Sequence, residues 1–432
     1  MRGRVLVPGL LIGAATLVAV HLLLRHTYWD YSEGVYALSA HLVLTGGDLY
    51  GQIIGAQPPG VFAAGAVLLA IHNSLEWLRF GVGLLQLGAG LIAAAIVYRI
   101  TASRSASALT PALVLLTPWA VHEHGALTPE LVSLPVMLGA TRLSAESHRG
   151  PATGVLCGLL VLIKLPFLIP AVALLACAVD RRRAALWAAL TLLAGFGLTT
   201  ALGGSAFWRE VVIAQAHTGV RSLGLLKGFW AQAAWNVLGL LAGALVAFAL
   251  RARSADRVLL RAALVLAVAN VITFLTNFKT GTGLNVTVPV EASLVPLAVC
   301  GTVFALRWAR ARVRARAAPW RPRLAASICL LGLIFTLAQS VSLITSPHNP
   351  VPFLRAFSAP AWEILMTRPQ FDATVAAARK CPPGASYGGP PLVAFVAGRR
   401  PPAGQPDQFL PTHSVTLAAV AAQIRAAKNV CG

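Results

Sequence analysis

The sequence has very little charge for its length. Only 11% of its 432 residues are Asp, Glu, Lys or Arg, whereas 57% are hydrophobic, and a water-soluble domain uses charged residues at about 25%. The mean hydropathy is +0.73. Apolar runs of about 20 residues recur along the chain, and each can cross a hydrocarbon layer about 30 Å thick. This composition excludes a soluble globular protein and predicts an α-helical polytopic membrane protein.

Carboxylates are scarce as well, and they are separated from the basic residues along the chain. The sequence has 14 Asp and Glu residues against 35 Lys and Arg, which gives a net charge of +21. The basic residues fall in short links at every second connection, a pattern of positive-inside topology rather than of nucleic-acid binding. We therefore expect no nucleic-acid partner, a cytoplasmic N-terminus and a multi-pass location in the inner or plasma membrane. The basic links are Arg99/Arg104, Arg142/Arg149, Arg181–Arg183, Arg251/Arg253/Arg257 and Arg307 to Arg323.

The apolar runs define about eleven predicted transmembrane helices, because lipid offers no partner for open backbone groups. No small-x-small cleavage site follows the first run, so we expect an uncleaved anchor. Two short runs meet at a turn, Lys164-Leu165-Pro166, and Gly60–Ile71 is predicted to lie as a helix at the outer interface. The predicted crossings are Val5–Leu24, Phe80–Val97, Ser103–Val121, Pro129–Leu143, Ala152–Ile163, Pro166–Val179, Ala184–Leu202, Ala233–Leu250, Val258–Thr276, Val288–Leu306 and Leu324–Leu343.

The odd number of crossings places the C-terminal tail outside. Residues 1–344 form the predicted membrane domain, with a long outer loop at 25–79, and residues 345–432 form a small extracytoplasmic α+β domain. In this domain the alternation over Leu392–Ala397 predicts a strand, and Val415–Lys428 predicts a helix. Cys381 and Cys431 are the cysteines outside the predicted crossings, and an oxidising exterior would let them pair.

Acidic and aromatic residues are concentrated in the first outer loop. Asp30 and Glu33 are three positions apart between Trp29 and Ala37, a spacing that places both on one face of a helix. A partly desolvated carboxylate gains affinity for protons and can act as a general base. The alternative is a solvated loop whose aromatic rings anchor at the headgroup level.

The order of several short motifs resembles that of the GT-C glycosyltransferase superfamily, which includes protein O-mannosyltransferases and aminoarabinose transferases. The resemblance covers most of the membrane region at the level of motif order. There are two departures: Ser32-Glu33 stand where relatives often have Asp-Glu, and Gln57 stands where aminoarabinose transferases have Lys before Pro-Pro. The motifs are Trp29 to Ala37, Gly47-Asp48-Leu49-Tyr50, Pro58-Pro59, Thr128-Pro129-Glu130, Lys164-Leu165-Pro166, and Lys279 to Asn285 with Glu291.

The resemblance implies a GT-C-like fold and an inverting glycosyltransferase. Its donor substrate would be a sugar on polyprenyl phosphate, and its acceptor a glycan, lipid or protein at the outer face of the membrane. No soluble cofactor is implied, and neither a nucleotide-binding loop nor a Rossmann fingerprint appears. Glu33 or Asp30 would be the base. The residues expected to bind the donor phosphate or sugar are Lys279, Asn285, Lys164, Tyr36 and Gln57.

The residues themselves leave alternatives open. Lys279 lies in a Gly-rich loop that suits an anion, or it is an interfacial lysine, and Lys164 is open in the same way. Glu123 and Glu130 form a second acidic site or belong to an ordinary polar loop. We expect no metal at His122-Glu123-His124, because residues two positions apart do not share a helix face and no further His or Cys with ligand spacing follows. A transporter or flippase and a non-catalytic membrane scaffold are the alternative functions, although no internal repeat of the kind found in transporters appears.

Overall fold

The computed structural model describes residues 3–25, 31–220, 222–275, 284–314, 320–345, 366, 368–427 and 430–431. Besides α-helices, there are 3-10 turns at Leu165–Phe167, Arg251–Arg253 and Leu284–Thr287, and a π-helical segment at Arg209–Ala214. The membrane part consists of α1 (Gly3–Leu24), α2 (Tyr31–Leu44), α3 (Gly60–Ile71), α4 (Leu75–Thr101), α5 (Arg104–Leu115), α6 (Pro118–Glu123), α7 (Pro129–Ser144), α8 (Gly150–Ile163), α9 (Leu168–Cys177), α10 (Arg181–Trp208), α11 (Leu223–Ala249), α12 (Arg257–Leu275), α13 (Val288–Arg314) and α14 (Trp320–Thr345).

Each predicted crossing is helical over most of its length. Within the described ranges, seven helices are long and apolar enough to span a membrane unaided, and α8 and α9 are shorter apolar helices. The predicted turn between α8 and α9 is confirmed, because Lys164 is extended and a 3-10 turn follows it. The predicted helix Gly60–Ile71 is α3. The chain is therefore a helical membrane protein with the predicted order of segments.

The predicted single crossing Ser103–Val121 is wrong, because the structure divides it into α5 and α6. Pro118 opens α6 at its first position, where its missing N–H is not needed. The N–H of Trp119 donates instead to Glu291 Oε2 on α13, at 3.0 Å. A side chain from a distant helix thus replaces the backbone bonds that would have continued α5.

α13 is the central helix of the bundle. Of the 18-residue apolar window in this helix, 94% is buried, against 11% for the window in α10, which leaves α10 largely exposed to the surroundings. α11 approaches α13 where Gly301 meets the backbone of Gly243, and it approaches α14 where Gly239 meets the backbone of Gly332. Small residues at such contacts let helix backbones come close, which is how membrane helices gain packing energy.

The basic links lie together at one end of the bundle. Arg99, at the end of α4, forms ion pairs with Glu146 and with Asp256, and Arg307 at the end of α13 donates to the Thr101 carbonyl oxygen at 2.6 Å. Partial burial raises the pKa of Glu146, but Arg142 and Arg99 outweigh that effect and hold the pKa below its usual value. The arrangement matches the separation of charge along the sequence.

The C-terminal residues form a small unit that a disulfide closes. Cys381 is joined to Cys431, which confirms the predicted pairing, and β1 pairs in parallel with β2 next to this bond. The unit contains α15 (Arg368–Arg379), β1 (Ser386–Tyr387), α16 (Pro391–Ala397), α17 (Phe409–His413), α18 (Ala418–Ala426) and β2 (Val430–Cys431), with single 3-10 turns at Pro402–Gly404 and Val415–Leu417.

The predicted strand over Leu392–Ala397 is wrong, because this segment is the helix α16. Pro391 occupies the first turn, where proline is favoured, and Gly398 ends the helix with a φ of 66°. Most of its side chains are buried, so the run of apolar residues carried no usable periodicity. The predicted helix Val415–Lys428 is confirmed over Ala418–Ala426, and Lys428 lies outside the described residues.

α16 packs directly on α2, the helix that begins at Tyr31 and contains Glu33. A Cβ at Gly34 would overlap the backbone nitrogen of Leu392, and the His41 and Phe395 rings meet edge to face with centroids 5.7 Å apart. The C-terminal unit is thereby held against α2, within the predicted outer loop 25–79.

We predict that Gly34→Ala loosens this contact, because a methyl group there meets backbone rather than a flexible side chain. Overpacking of this kind costs about 1–3 kcal/mol. The variant should have a lower thermal midpoint and a C-terminal unit that proteases cleave faster. Gly88→Ala on α4 is the matched control, because a Cβ there has no neighbour within 4 Å. Equal protease resistance of both variants would contradict the prediction.

Candidate active site

Glu33 is held in a buried ion pair that ties α2 to α4. Arg79 Nε and Nη2 donate to the two carboxylate oxygens of Glu33 at 2.6 Å and 2.5 Å. The two side chains are only 1% and 2% exposed. A two-point contact of this kind fixes the orientation of the two groups relative to each other and also pairs their charges. Asp30, the other predicted base, lies outside the described residues.

Arg79 was missed in the sequence, although the sequence carries a signal for it. It lies in the first part of α4, one residue before the predicted crossing Phe80–Val97. A charged residue within an apolar span is costly and normally has a partner or a function. Extending the span back to its N-cap at Ser74 would have placed Arg79 inside it and called for a buried carboxylate.

A second cluster joins three predicted site residues from three distant segments. Lys164, between α8 and α9, forms an ion pair with Glu130 in the first turn of α7. Asn285 Nδ2 donates to the other oxygen of Glu130 at 3.1 Å. Glu130 is fully buried, whereas Lys164 keeps 11% of its side chain exposed. The structure therefore joins Lys164 and Asn285, predicted for donor binding, to Glu130 of the predicted acidic site.

A small cavity beside this cluster has room for about one water molecule. Asn270 belongs to its wall and donates to the Pro289 carbonyl oxygen at 3.1 Å, while its own Oδ1 is buried with no hydrogen-bond partner in the described part of the chain. A buried acceptor without a partner favours a ligand or water in the cavity. The lining residues are Lys164, Pro166, Phe167, Asn270, Thr273, Val286 and Pro289. Asn270 was not predicted, because a lone amide in α12 resembles ordinary helix packing.

The Gln57-Pro58-Pro59 motif leads directly to this cluster. Gly60, the first residue of α3, lies so close to the end of α8 that a Cβ there would be 2.7 Å from the Leu162 carbonyl oxygen. Leu162 is two residues before Lys164. Gln57 itself is half-buried. The structure thus brings the segment before α3 next to the segment that carries Lys164.

The backbone of this loop is fixed by side chains from two other parts of the chain. Glu210 accepts from Gly55 N at 3.0 Å, and Gln215 donates to the Ala56 carbonyl oxygen at 2.9 Å. From the C-terminal unit, Gln405 accepts from Ile54 N and donates to the Gln52 carbonyl oxygen, each at 2.8 Å. Polar backbone groups that would otherwise be unpaired inside the protein are thereby satisfied. The loop that carries Gln57 is preorganised.

Tyr50 contributes a further hydrogen bond within the loop that ends at Gln57. Its ring packs edge to face on Phe207, with centroids 5.1 Å apart, and its Oη donates to the Gln57 carbonyl oxygen at 2.7 Å. Burial, and then the nearby Glu210 carboxylate, raise the pKa of Tyr50 well above its usual value. The phenol therefore stays protonated and able to donate.

The remaining predicted site residues lie elsewhere. Tyr36 is buried between α2 and α3 with its ring 5.8 Å from that of Phe62. Glu123 is buried at the end of α6 and contacts His122 at 3.4 Å. Burial and Arg79 lower the pKa of the neighbouring His124 well below its usual value. Within the described ranges, no three His, Cys, Asp or Glu side chains are grouped as metal ligands. Lys279 lies outside those ranges.

Comparison with known proteins identifies the architecture. No model of a known protein family matches the chain, and no curated protein is significantly similar to it. A crystal structure of ArnT from Cupriavidus metallidurans bound to undecaprenyl phosphate aligns with a TM-score of 0.60 at 17% identity, over 96% of this chain and 88% of that one. Apo ArnT from the same organism aligns with a TM-score of 0.57 at 17% identity, over 90% and 84%. ArnT is an aminoarabinose transferase with a GT-C fold, so this chain has the GT-C-like fold that its motif order predicted.

Proposed function

We propose that this protein is an integral-membrane glycosyltransferase that moves a sugar from a polyprenyl-phosphate donor to an acceptor at the outer face of the membrane. The observation that carries the proposal is the cluster of Lys164, Glu130 and Asn285 beside the cavity, set in a fold like that of ArnT over 96% of the chain. ArnT was crystallised with undecaprenyl phosphate, which makes a lipid-linked phosphate the natural ligand to test.

The cluster is suited to an anionic ligand. Lys164 is the cationic member and lines the cavity, and its ion pair with Glu130 holds it in place. A phosphate at the mouth of the cavity could accept hydrogen bonds from the lysine ammonium, and such charge-assisted hydrogen bonds are stronger than those between neutral groups. Stabilising the phosphate as it departs is the electrostatic contribution that the transfer reaction needs. Lys279, six positions before Asn285 in the sequence, would add a second cation.

We assign the general base to Asp30 and a positioning role to Glu33. Both oxygens of Glu33 already accept hydrogen bonds from Arg79, whereas a base needs an oxygen directed at the acceptor hydroxyl. Asp30 directly precedes Tyr31, the first residue of α2. In this assignment Asp30 takes the hydroxyl proton, the acceptor oxygen bonds to the anomeric carbon, and the bond from that carbon to the phosphate oxygen breaks with inversion.

The two carboxylates should respond differently to substitution. Asp30→Asn should reduce the rate of sugar transfer by about 10²–10⁴-fold, the usual contribution of a general base, without changing the thermal midpoint. Glu33→Gln should lower the midpoint instead, because removing one partner of a buried pair costs about 3–5 kcal/mol. The measurement is transfer or release of sugar from a panel of polyprenyl-phosphate sugars by purified protein in membranes.

A paired substitution provides the control. Glu33→Gln combined with Arg79→Met removes both charges and should recover part of the lost stability and, with it, part of the lost activity. If the stable double variant stays as inactive as Glu33→Gln while Asp30→Asn remains active, Glu33 is the base and our assignment is wrong. If wild-type protein consumes none of the donors, the proposed reaction itself fails with these substrates.

Lys164 should contribute mainly to donor binding. Lys164→Met combined with Glu130→Gln leaves no buried carboxylate without its cation, removes one charge-assisted hydrogen bond to the donor and should weaken binding of polyprenyl phosphate by about 10–100-fold. Arg182→Met, which removes an exposed charge at the opposite end of the bundle, should leave the affinity unchanged. Binding is measured by titration of the purified protein with the lipid. Equal affinities for the two variants would show that Lys164 does not contact the phosphate.

A further inference from the structure

A second concentration of charge lies at the basic end of the bundle, remote from the candidate active site. Six arginines lie on the last turns of α13, on the first turn of α14 and on the 3-10 turn that follows α11, three elements whose helices pack together. All six are exposed. Among the residues that the structure describes, none of them forms an ion pair with a carboxylate. This arginine cluster consists of Arg251, Arg253, Arg310, Arg312, Arg321 and Arg323.

The carboxylates at this end are already engaged by other arginines. Glu146 pairs with Arg99 and Arg142, and Asp256 pairs with Arg99. Asp180 lies 3.9 Å from Arg183. The arginine cluster therefore keeps its positive charge, which an anion from outside the protein could neutralise.

The cluster has an apolar base and aromatic neighbours. Ala305, Ala326 and Cys329 are buried together beneath it, where α13 packs on α14. The guanidinium of Arg253 lies 5.7 Å from the Trp308 ring centroid, and that of Arg321 lies 5.1 Å from the Trp320 ring centroid. Tryptophan and arginine side chains together are typical of the depth at which lipid headgroups lie.

Exposed apolar side chains continue from the cluster along the same helices. On α11, Leu245 and Phe248 are 59% and 50% exposed, and Leu324 at the start of α14 is 52% exposed. A ligand that matches this surface needs an anionic head and an apolar tail. A soluble phosphate would use only the first of these features.

We propose that the arginine cluster binds the phosphate headgroup of an anionic phospholipid, with the acyl chains lying along α11 and α14. Basic pockets between membrane helices bind such headgroups by this combination of charge and apolar contact. The site is separate from the donor site, and the proposal does not depend on the proposed reaction.

The experiment is native mass spectrometry of the full chain in neutral detergent with phosphatidylglycerol, cardiolipin or phosphatidylcholine added at equal concentration. Wild-type protein should retain the anionic lipids in preference to phosphatidylcholine. The double variant Arg253→Gln/Arg321→Gln should bind them about tenfold more weakly or worse, since each arginine near the surface contributes about 1 kcal/mol. Arg253→Lys/Arg321→Lys keeps the charge and should retain most of the binding.

The matched control is Arg181→Gln/Arg182→Gln, which removes two exposed charges from the same end of the bundle but on α10. It should bind anionic lipid as wild type does. Equal losses in the two glutamine variants would mean that overall charge alone attracts lipid. No loss in either variant, or equal retention of phosphatidylcholine by wild type, would also overturn the proposal.

Discussion

The structure depends on the rule that a carboxylate cannot be buried without a partner. Among the residues that the structure describes, four buried carboxylates at the end of the bundle that holds the candidate site are matched by groups from distant segments, and each match fixes one piece of the site. Because so few carboxylates are present, every pair has a structural consequence. The four pairs are Glu33 with Arg79, Glu130 with Lys164 and Asn285, Glu210 with Gly55 N, and Glu291 with Trp119 N.

These pairs assemble one end of the bundle around the cavity. Glu33 fixes the first turn of α2 against α4, and Glu130 fixes Lys164 at the break between α8 and α9. Glu210 fixes the loop that ends in Gln57-Pro58-Pro59, and Gln405 reaches the same loop from the C-terminal unit. At the opposite end, Arg99 binds two of the carboxylates, and the six arginines of the arginine cluster remain exposed.

Much of the fold could be predicted because hydropathy and basic links report directly on membrane crossing. The break at Pro118 could not, since it depends on Glu291 from a helix more than 170 positions away. The strand expected at Leu392–Ala397 failed because a fully buried segment loses the periodicity that separates strand from helix. The pairing of Cys381 with Cys431 was predictable from the absence of other cysteines outside the crossings.

Most residues of the candidate site could be predicted from the sequence, but the contacts between them could not. Motif order singled out Glu33, Glu130, Lys164 and Asn285, and three of these meet. Arg79 and Asn270 were missed because a single polar residue in an apolar helix carries no spacing pattern. Only the packing of the helices shows that one of them holds Glu33 and that the other lines the cavity.

The measurement that tests this account most directly is a structure of the full chain with polyprenyl phosphate bound. The account predicts the phosphate at the mouth of the cavity beside α9 and α12, with an oxygen within hydrogen-bond distance of Lys164 Nζ and the Glu33–Arg79 pair intact. A phosphate bound away from Lys164, or a lipid that separates Glu33 from Arg79, would contradict it.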